Sequence, residues 1–279
     1  MRKIFLTAIF GLALGIGTAS AADVVFLCLG TVPAIEAEGR DRKELGLPKL
    51  QQDLLETVVK ANSKTVVILF SAGPLSVKWA RDNAAAVLQA WYPGEEGGTA
   101  LADVLFGDYN PAGRLPYTVY ESLKDIPPQT EYDVTKGFTY LYFTGTPVFP
   151  FGHGLSYTHF SYSDLTLSSP RMGLDGKVEV RVTIKNTGDR AGDEVAQLYV
   201  HQEKSSVKRP IKELRGFQRV TLKPGEAKTI TFTLPAQKLA YYDVGRHDFV
   251  VEPGLVEVMV GSSSADIRSR GRVEVITPK

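Results

Sequence analysis

The sequence predicts a mainly parallel α/β fold followed by an antiparallel β-sandwich. In the first half, uninterrupted apolar runs such as "VVFLCLG" alternate with segments of helical period. Past residue 160, apolar and polar residues instead alternate one by one. Strands that alternate with helices favour a parallel sheet, whereas period-two runs separated by turns favour a sandwich.

The α/β part is predicted to contain three apolar strands with helices between them. "DVVFLCLG" and "TVVILF" are apolar almost throughout, which is typical of strands buried on both faces. Between them, Leu50, Leu54 and Val58 stand at i, i+4 and i+8 behind Pro48, which predicts an amphipathic helix. A short helix, a third strand "AAVLQAWY", the loop "PGEEGG" and a helix "TALADVLFG" follow. Because ligands approach such sheets at the carboxyl ends of strands, the loops that leave the strands are the expected place for a site.

The sandwich is predicted from alternation. Four apolar residues alternate with polar ones along "KVEVRVTIKNTG", namely Val178, Val180, Val182 and Ile184. Similar runs, separated by turns such as "KPGEA", predict about seven short strands with one buried face each. The stretch 110–158 is rich in Pro, Gly and aromatic residues without a helical period, and is predicted to cover and connect packed surfaces.

The amino terminus predicts a secretory signal peptide. "MRKIFLTAIFGLALGIGTASA" has a basic start, an apolar stretch too short for a membrane span and small residues at its end, which is typical of a signal cleaved after Ala21. We expect a secreted or periplasmic protein that is not membrane-bound after cleavage. The predicted organisation is a signal peptide at 1–21, an α/β domain at 22–158, a linker at 159–176 and the sandwich domain at 177–279.

Composition argues against several other classes of function. Lys and Arg number 32 against 31 Asp and Glu, a formal net charge of +1, which is too balanced for a dedicated nucleic-acid binder. Cys28, the single cysteine, lies in an apolar run and is given no chemical role. The four histidines show no metal-ligand spacing, and no glycine loop has the context of a phosphate site. We therefore expect no metal and no cofactor.

Two carboxylates in "AIEAEGRDRKELGLP" are the first candidates for chemistry. Glu36 and Glu38 stand two residues apart, and an extended backbone would point both to one face. Cleavage of a glycosidic bond needs two carboxyl groups that flank the bond, so one short loop cannot supply both. Arg40 and Arg42 are expected to orient the loop through carboxylate pairs. Taken alone, such a loop is more typical of a salt-linked surface than of a site.

Several segments resemble a known family. "IEAEGRDRKELGLPKLQQDLL", "AWYPGEEGGTALADVLFGDYNPAGRLPYTVY" and "FPFGHGLSYTHFSYSDL" resemble the signature segments of glycoside hydrolase family 3, a group of exo-acting β-glucosidases, β-xylosidases and related enzymes. "GDEVAQLYV", "RPIKELRGFQRVTLKPGEA" and "PGLVEVMVG" resemble the fibronectin type III-like domain at the carboxyl end of many members. The resemblance extends from Asp23 nearly to the end of the chain.

The resemblance implies a two-domain catalytic unit. One domain is a (β/α)8-like barrel with an aspartate nucleophile, and the other is an α/β sandwich with flavodoxin-like layers whose loop delivers a glutamate acid/base. By resemblance the acid/base is Glu36, with Glu38 as the alternative, because the glutamate stands ahead of a G-x-D-R element. The loop-orienting residues are then Arg40, Asp41 and Arg42.

Other polar residues stand among Gly and Pro. Glu95 and Glu96 in "WYPGEEGG" could line a sugar subsite. They also stand at a predicted helix start, where the helix dipole stabilises negative charge, and the structural interpretation is favoured. Arg114 in "NPAGRLP" is assigned no chemistry, and His153 in "FGHGLSY" is predicted to be a structural histidine.

No segment resembles the family's nucleophile region or the strands that open its α/β sandwich, so we expect a truncated domain and no nucleophile in this chain. The chain is then the carboxyl-terminal part of a secreted retaining exo-β-glycosidase acting on plant-type oligosaccharides, inactive on its own. Its expected partners are a β-linked oligosaccharide or aryl glycoside, and either a separate barrel polypeptide or a second copy at an uncovered sheet edge. The alternative is a non-catalytic exported carbohydrate-binding or scaffold module.

Overall fold

The computed structural model describes residues 4–7 and 15–277, and the chain divides into two compact units. The first unit comprises Met1–Leu105, Thr118–Ile126 and Gly145–Phe149. The second unit comprises Phe106–Tyr117, Pro127–Thr144 and Pro150–Lys279. The aromatic-rich middle of the chain is therefore divided between the two units.

The first unit is built on a parallel sheet. Its strands are β1 (Ile4–Thr7), β2 (Val24–Gly30), β3 (Thr65–Phe70) and β4 (Ala86–Gln89). Its helices are α1 (Gly15–Ser20), α2 (Lys49–Ala61), α3 (Lys78–Asn83) and α4 (Gly97–Phe106). The four strands pair in parallel in the order β1-β2-β3-β4. The predicted alternation of strands and helices around a parallel sheet is therefore confirmed.

A single buried cluster joins α1, α2 and α3 to one face of this sheet. Val25 and Leu27 of β2 point to the same side, as residues two apart in a strand must. They belong to one buried cluster with Leu55 of α2 and Ala80 of α3. On the other face of β2, Phe26 is buried as well. The second face of β2 is thus covered at Phe26 and only partly at Cys28.

The predicted signal peptide falls partly on residues 1–3 and 8–14, which lie outside the described residues. Within it, β1 pairs in parallel with β2, and Ala19 of α1 is buried. Asn62, at the end of α2, donates hydrogen bonds from Nδ2 to the carbonyl oxygens of Ala19 and Ala22, at 2.9 and 2.8 Å. The edge of β2 that was expected to be uncovered is therefore paired in this structure. Signal cleavage and self-association through that edge remain predictions.

The second unit is a sandwich of two mainly antiparallel sheets. Its long strands are β8 (Lys177–Asn186), β9 (Gly192–Gln202), β10 (Glu213–Leu222), β11 (Ala227–Pro235), β14 (Gly254–Gly261) and β15 (Ile267–Ile276). Its short elements are β5 (Phe160–Tyr162), β6 (Thr166–Leu167), β7 (Arg171–Gly173), β12 (Tyr241–Asp243), β13 (Asp248–Val250) and a one-turn helix, α5 (Thr139–Tyr142). One sheet has the order β10-β9-β14-β15-β7, and the other has the order β11-β8-β5 with β6 also paired to β8. A separate hairpin is formed by β12 and β13.

Alternating burial builds the core of the sandwich. Every second residue of β8 is buried, and Val178 and Val180 share one cluster with Leu198 of β9 and Val258 of β14. The period-two pattern of the sequence is therefore confirmed.

The segment 159–176, predicted to be a linker, belongs to the sandwich instead. Its strands β5 and β6 pair with β8, and β7 pairs with β15. Its short alternating runs "FSYS" and "LTLS" are the strand signal that the linker prediction overlooked. Strand pairing satisfies its backbone N–H and C=O groups, which explains why it is part of the sheets.

Candidate functional site

The candidate site lies at the carboxyl edge of the parallel sheet. Gly30 ends β2, and its backbone N–H and C=O each form a hydrogen bond of 2.9 Å with the side-chain amide of Gln51. A Cβ at residue 30 would stand 1.9 Å from the Phe70 carbonyl oxygen, so only glycine lets β2 and β3 end this close together. The Thr31 N–H donates to the same Phe70 oxygen at 2.9 Å. Hydrogen bonds and close packing therefore fix the backbone at the start of the loop that carries the two glutamates.

The first half of this loop is a tight turn. The N–H groups of Ile35 and Glu36 both donate to the Val32 carbonyl oxygen, at 2.8 and 3.1 Å. The backbone ahead of Glu36 is therefore not extended. The expectation that an extended strand would point Glu36 and Glu38 to one face is wrong. The backbone instead makes two consecutive turns, so the two side chains point in different directions.

The second half of the loop is a two-residue hairpin. Arg40 donates its N–H to the Ala37 carbonyl at 2.9 Å, and Ala37 donates to the Arg40 carbonyl at 3.4 Å. Glu38 and Gly39 form the tip between them. Gly39 has a φ of +72°, a conformation that glycine adopts without strain at the second central position of a tight turn. The hairpin thus presents Glu38 at its tip.

Glu36 is held by groups from three neighbouring strand ends. Thr31 Oγ1, after β2, donates to Glu36 Oε1 at 2.5 Å. The N–H groups of Ala72 and Gly73, after β3, lie 3.2 and 3.4 Å from the same oxygen. The Tyr92 hydroxyl, after β4, donates to it at 3.4 Å. The parallel arrangement of the strands brings these distant residues together.

Arg42 binds the second oxygen of Glu36. Its Nε lies 2.9 Å from Glu36 Oε2, and the side chains are only 10% and 13% exposed. Arg42 also donates from Nη2 to the Pro74 carbonyl at 2.5 Å and from Nη1 to the Leu45 carbonyl at 3.5 Å. The Glu36–Arg42 pair therefore ties the base of the hairpin to the segment that follows β3.

The three predicted loop-orienting residues differ in their contacts. Arg42 makes the carboxylate pair that the sequence predicted. Arg40 is exposed and donates from Nη1 to the Ala34 carbonyl at 3.4 Å, within the loop itself. The orienting roles of Arg40 and Asp41 remain predictions.

These contacts keep the Glu36 carboxyl ionised. Burial by itself would raise the pKa of Glu36, but the hydrogen bonds from Thr31, Gly73 and Ala72 and the charge of Arg42 outweigh burial and lower it. A general acid must instead hold a proton near the working pH. In this arrangement Glu36 is suited to fixing the loop and poorly suited to donating a proton.

Glu38 has the opposite environment. It is exposed, and among the described residues no hydrogen bond or ion pair engages its carboxylate. Its two oxygens are therefore available to an incoming group. The sequence could not separate the two glutamates, because several of the groups that bind Glu36, namely Ala72, Gly73 and Tyr92, lie far from it along the chain.

The third loop of this edge follows β4. Trp91 has a φ of +59°, so the chain turns directly after the strand. The next residue, Tyr92, is half exposed, and its hydroxyl lies 3.3 Å from Thr31 Oγ1 as well as within reach of Glu36. Tyr92 is a site residue that the sequence analysis missed. Its position after an apolar strand, at the edge where ligands bind, was the available signal.

Glu95 and Glu96 lie further along the same loop. Both are exposed, and α4 begins at the residue that follows them, Gly97. The structure therefore places them at a helix start, where the dipole stabilises their charge. A role for them in lining a substrate remains a prediction.

Comparison with protein-family models identifies both units. The model described as "Glycosyl hydrolase family 3 C-terminal domain" matches residues 15–157, which is more than half of the chain. The chain belongs to glycoside hydrolase family 3. The model described as "Fibronectin type III-like domain" matches residues 194–264. Both expectations from the signature segments are confirmed.

Relatives within family 3 match most of this chain. It is 41% identical over 269 residues to the thermostable beta-glucosidase B of Acetivibrio thermocellus, covering 92% of this chain and 36% of that protein. It is 39% identical over 270 residues to the periplasmic beta-glucosidase of Salmonella typhimurium, covering 92% and 35%. The crystal structure of a Bifidobacterium adolescentis GH3 beta-glucosidase has a TM-score of 0.87 at 36% identity, covering 93% and 40%. Relatives named as beta-xylosidases match as well. The chain spans about a third of the length of the curated relatives that it matches.

Three other residues considered in the sequence, Arg114, His153 and Cys28, have environments that suit a structural role. Arg114 pairs with Glu194 at 2.9 Å, and burial together with the charge of Arg114 lowers the pKa of His153, so that histidine is held neutral. Cys28 is half-buried, and burial raises the pKa of its thiol, which disfavours a thiolate nucleophile. In the described part of the chain, no group of three or more His, Cys, Asp or Glu side chains could hold a metal ion.

The ion pair and hydrogen bonds of Glu36 should make the free energy of unfolding depend on pH. We expect Glu36→Gln to lower the free energy of unfolding at neutral pH by about 2 kcal/mol, because Arg42 keeps a nearly buried charge without its partner. The folded-state pKa of Glu36 lies below its ordinary value of 4.5. The stabilisation is therefore fully present above that value and is lost as the pH falls through the folded-state pKa.

Urea unfolding of both proteins from about pH 7 down to about pH 3 measures this difference. Glu38→Gln is the matched control, and it should change the free energy of unfolding by less than about 0.5 kcal/mol throughout. A difference between the wild type and Glu36→Gln that stays constant over this range would contradict the assignment.

Proposed function

We propose that this chain supplies the acid/base loop of a retaining exo-β-glycosidase, with Glu38 as the acid/base and Glu36 as a positioning residue. The observation that carries the proposal is the contrast between the two carboxylates. Glu36 is enclosed and ion-paired with Arg42, whereas Glu38 stands exposed at the hairpin tip. The resemblance in sequence favours Glu36, and the geometry is our reason for proposing Glu38 in its place.

The chemistry of the reaction explains why the exposed carboxyl suits the role. The acid/base first protonates the leaving oxygen and later takes a proton from the attacking water. A carboxyl that alternates between these two states cannot be committed to an ion pair that stabilises only the charged form. Glu38 meets this requirement. The Glu36–Arg42 pair and the Gly39 turn support it by fixing the hairpin from which it projects.

The nucleophile belongs on the other side of the scissile bond, roughly 5 Å from the acid/base carboxyl. We assign it to an aspartate on a barrel of the kind that the family resemblance implies, whether that barrel is joined to this chain or is a separate polypeptide. Its attack forms a covalent glycosyl-enzyme as Glu38 protonates the departing oxygen. Glu38 then removes a proton from the water that releases the sugar.

The proposed substrates are β-linked glucosides or xylosides, such as plant-type oligosaccharides and their aryl analogues. Matched relatives carry both the β-glucosidase and the β-xylosidase names. The near-zero net charge of the chain suits an uncharged substrate. Two carboxyl groups suffice for this chemistry, so the proposal includes no cofactor.

Export is the proposed localisation, either secreted or periplasmic. The amino-terminal sequence has the pattern of a signal peptide, and one matched relative is named as a periplasmic enzyme. In the part of the chain that the structure describes, no helix combines the length and the apolar character needed to cross a membrane.

Reconstitution with a barrel tests the proposal. The purified chain is mixed with a separately produced family 3 barrel, and hydrolysis of p-nitrophenyl β-glucoside and β-xyloside is followed as a function of chain concentration. We expect saturable activity from the mixture and none from either component alone. A barrel whose nucleophilic aspartate is changed to asparagine is the control and should give no turnover with the chain.

Where the two parts associate too weakly to be tested as a mixture, the barrel is fused to this chain and the same assay is run on the fusion protein. Turnover by the chain alone would contradict the assignment of the nucleophile. An inactive fusion that is folded and binds the substrate would instead support the alternative function, a non-catalytic carbohydrate-binding module.

A further inference from the structure

A second candidate site lies on the sandwich, at the hairpin of β12 and β13. Tyr242 and Phe249 face each other across the two strands, with ring centroids 5.4 Å apart and planes at 73°. Their residues are 50% and 69% exposed. The edge-to-face arrangement is one of the geometries that aromatic pairs prefer. The hairpin therefore presents two paired aromatic side chains to solvent.

A cavity of about 450 Å³, wide open to solvent, adjoins this aromatic pair. Phe249 forms part of its wall, and the polar part of the wall is formed by Asp175, Gln237, Arg246 and Asp248. Ligand sites of similar size combine an apolar or aromatic surface with a few polar groups that fix the orientation of the ligand. The cavity therefore has the two kinds of surface that a small polar ligand needs.

The turn that carries Arg246 is held by its own hydrogen bonds. Asp243 Oδ1 accepts from the N–H groups of Gly245 and Arg246, at 2.8 and 3.1 Å. Asp243 Oδ2 lies 3.7 Å from Arg246 Nε. The backbone of such a turn loses little conformational freedom when a ligand binds, which favours affinity.

We propose that this cavity and the ring of Phe249 bind a neutral β-linked oligosaccharide. The C–H face of a pyranose is apolar and can lie against an aromatic ring, while its hydroxyl groups both donate and accept hydrogen bonds. Asp175 and Asp248 supply acceptors, Arg246 supplies donors, and Gln237 supplies both. The site would hold a chain of sugars on the sandwich.

The charged side chains in the wall of the cavity favour some classes of ligand over others. Two carboxylates stand against one guanidinium, and that guanidinium already faces Asp243. A polyanion such as a polyuronate would therefore meet net repulsion. A protein partner is disfavoured as well, because the centres of protein interfaces are depleted of charged residues. A neutral polyol with many hydroxyl groups matches the mixture of donors and acceptors.

This site is independent of the acid/base loop. Every residue that forms it belongs to the second unit, whereas Glu36 and Glu38 belong to the first. Binding at the sandwich does not need the proposed catalytic function, and catalysis does not need this site. Failure of one proposal therefore leaves the other standing.

Calorimetric titration of the full chain with cellopentaose and xylopentaose tests the inference. We expect saturable binding of at least one of these neutral sugars, and an affinity about tenfold lower in Phe249→Ala, because the stacking surface is lost. Phe217→Ala is the matched control. Phe217 is 68% exposed in the same unit and does not line the cavity, so its removal should change the affinity by less than about twofold.

A titration with pentagalacturonate, which is polyanionic, completes the experiment. We expect it to bind more weakly than the neutral sugars. Three results would overturn the inference: no saturable binding of either neutral sugar, equal affinity in Phe249→Ala and the wild type, or tighter binding of pentagalacturonate. Because Phe249 is exposed, its removal should leave the fold intact, and circular dichroism of each variant verifies this.

Discussion

Replacing Glu38 by Gln should lower kcat/KM of the reconstituted complex toward cellobiose or xylobiose by about 10²–10⁴-fold. The sugar leaving group of these substrates is a poor one, and without a proton from the acid/base its departure as an alkoxide is strongly disfavoured. Glutamine keeps the size and the hydrogen-bonding oxygen of the side chain but cannot transfer a proton. Steady-state kinetics measures the loss, with enough of the chain added to saturate the barrel.

Glu36→Gln is the matched control for this loss. Its amide keeps one acceptor for Thr31 Oγ1 but weakens the pair with Arg42. The hairpin should then be held less firmly, and we expect kcat/KM to fall by about tenfold, with a similar factor for good and poor leaving groups. An equal loss in both variants would show that neither carboxyl is specifically the proton donor.

Breaking the ion pair between Arg114 and Glu194 should destabilise the second unit more than any surface substitution. The two side chains are only 10% and 6% exposed, with Arg114 Nη2 lying 2.9 Å from Glu194 Oε1. We expect Arg114→Met to lower the free energy of unfolding by about 3–5 kcal/mol, because Glu194 would keep a buried charge without its partner. Urea unfolding, followed by far-UV circular dichroism, measures the change.

An exposed pair in the same unit provides the control. Arg171 and Glu274 are 69% and 47% exposed and lie 3.0 Å apart, so Arg171→Met should cost less than about 1 kcal/mol. A loss in Arg114→Met no larger than in this control would contradict the structural role of the buried pair. A double variant, Arg114→Met with Glu194→Leu, should recover part of the stability, since no unpaired charge remains.

Local patterns were sufficient to predict most elements of the fold. The apolar runs of β2 and β3 and the helical spacing of Leu54 and Val58 have no reasonable competing structure. The third strand shows the limit. "AAVLQAWY" has a strand pattern to its end, but β4 stops at Gln89 because Trp91 takes a positive φ. No periodicity signals such a turn in a non-glycine residue.

The sequence predicted where the candidate site lies, but not the contacts of its residues. The loops after the strands were expected at one edge of the sheet, and the structure brings them together there. The environment of Glu36 depends on Tyr92 and on the backbone after β3, which the parallel sheet brings to the loop. Sequence spacing carries no information about those partners, so it could not decide which of two glutamates remains exposed.

The dependence of rate on the leaving group distinguishes Glu38 from Glu36 as the proton donor. The kcat/KM of the reconstituted complex is measured with aryl glycosides whose phenols range in pKa from about 4 to about 10, for the wild type, Glu36→Gln and Glu38→Gln. We expect the kcat/KM of Glu38→Gln to approach the wild-type value with the most acidic phenol and to fall steeply as the phenol pKa rises. Azide should also restore turnover in that variant, because azide attacks the glycosyl-enzyme without a general base. Glu36→Gln should give a line parallel to the wild type. A steep dependence in Glu36→Gln together with a parallel line for Glu38→Gln would instead assign the acid/base role to Glu36.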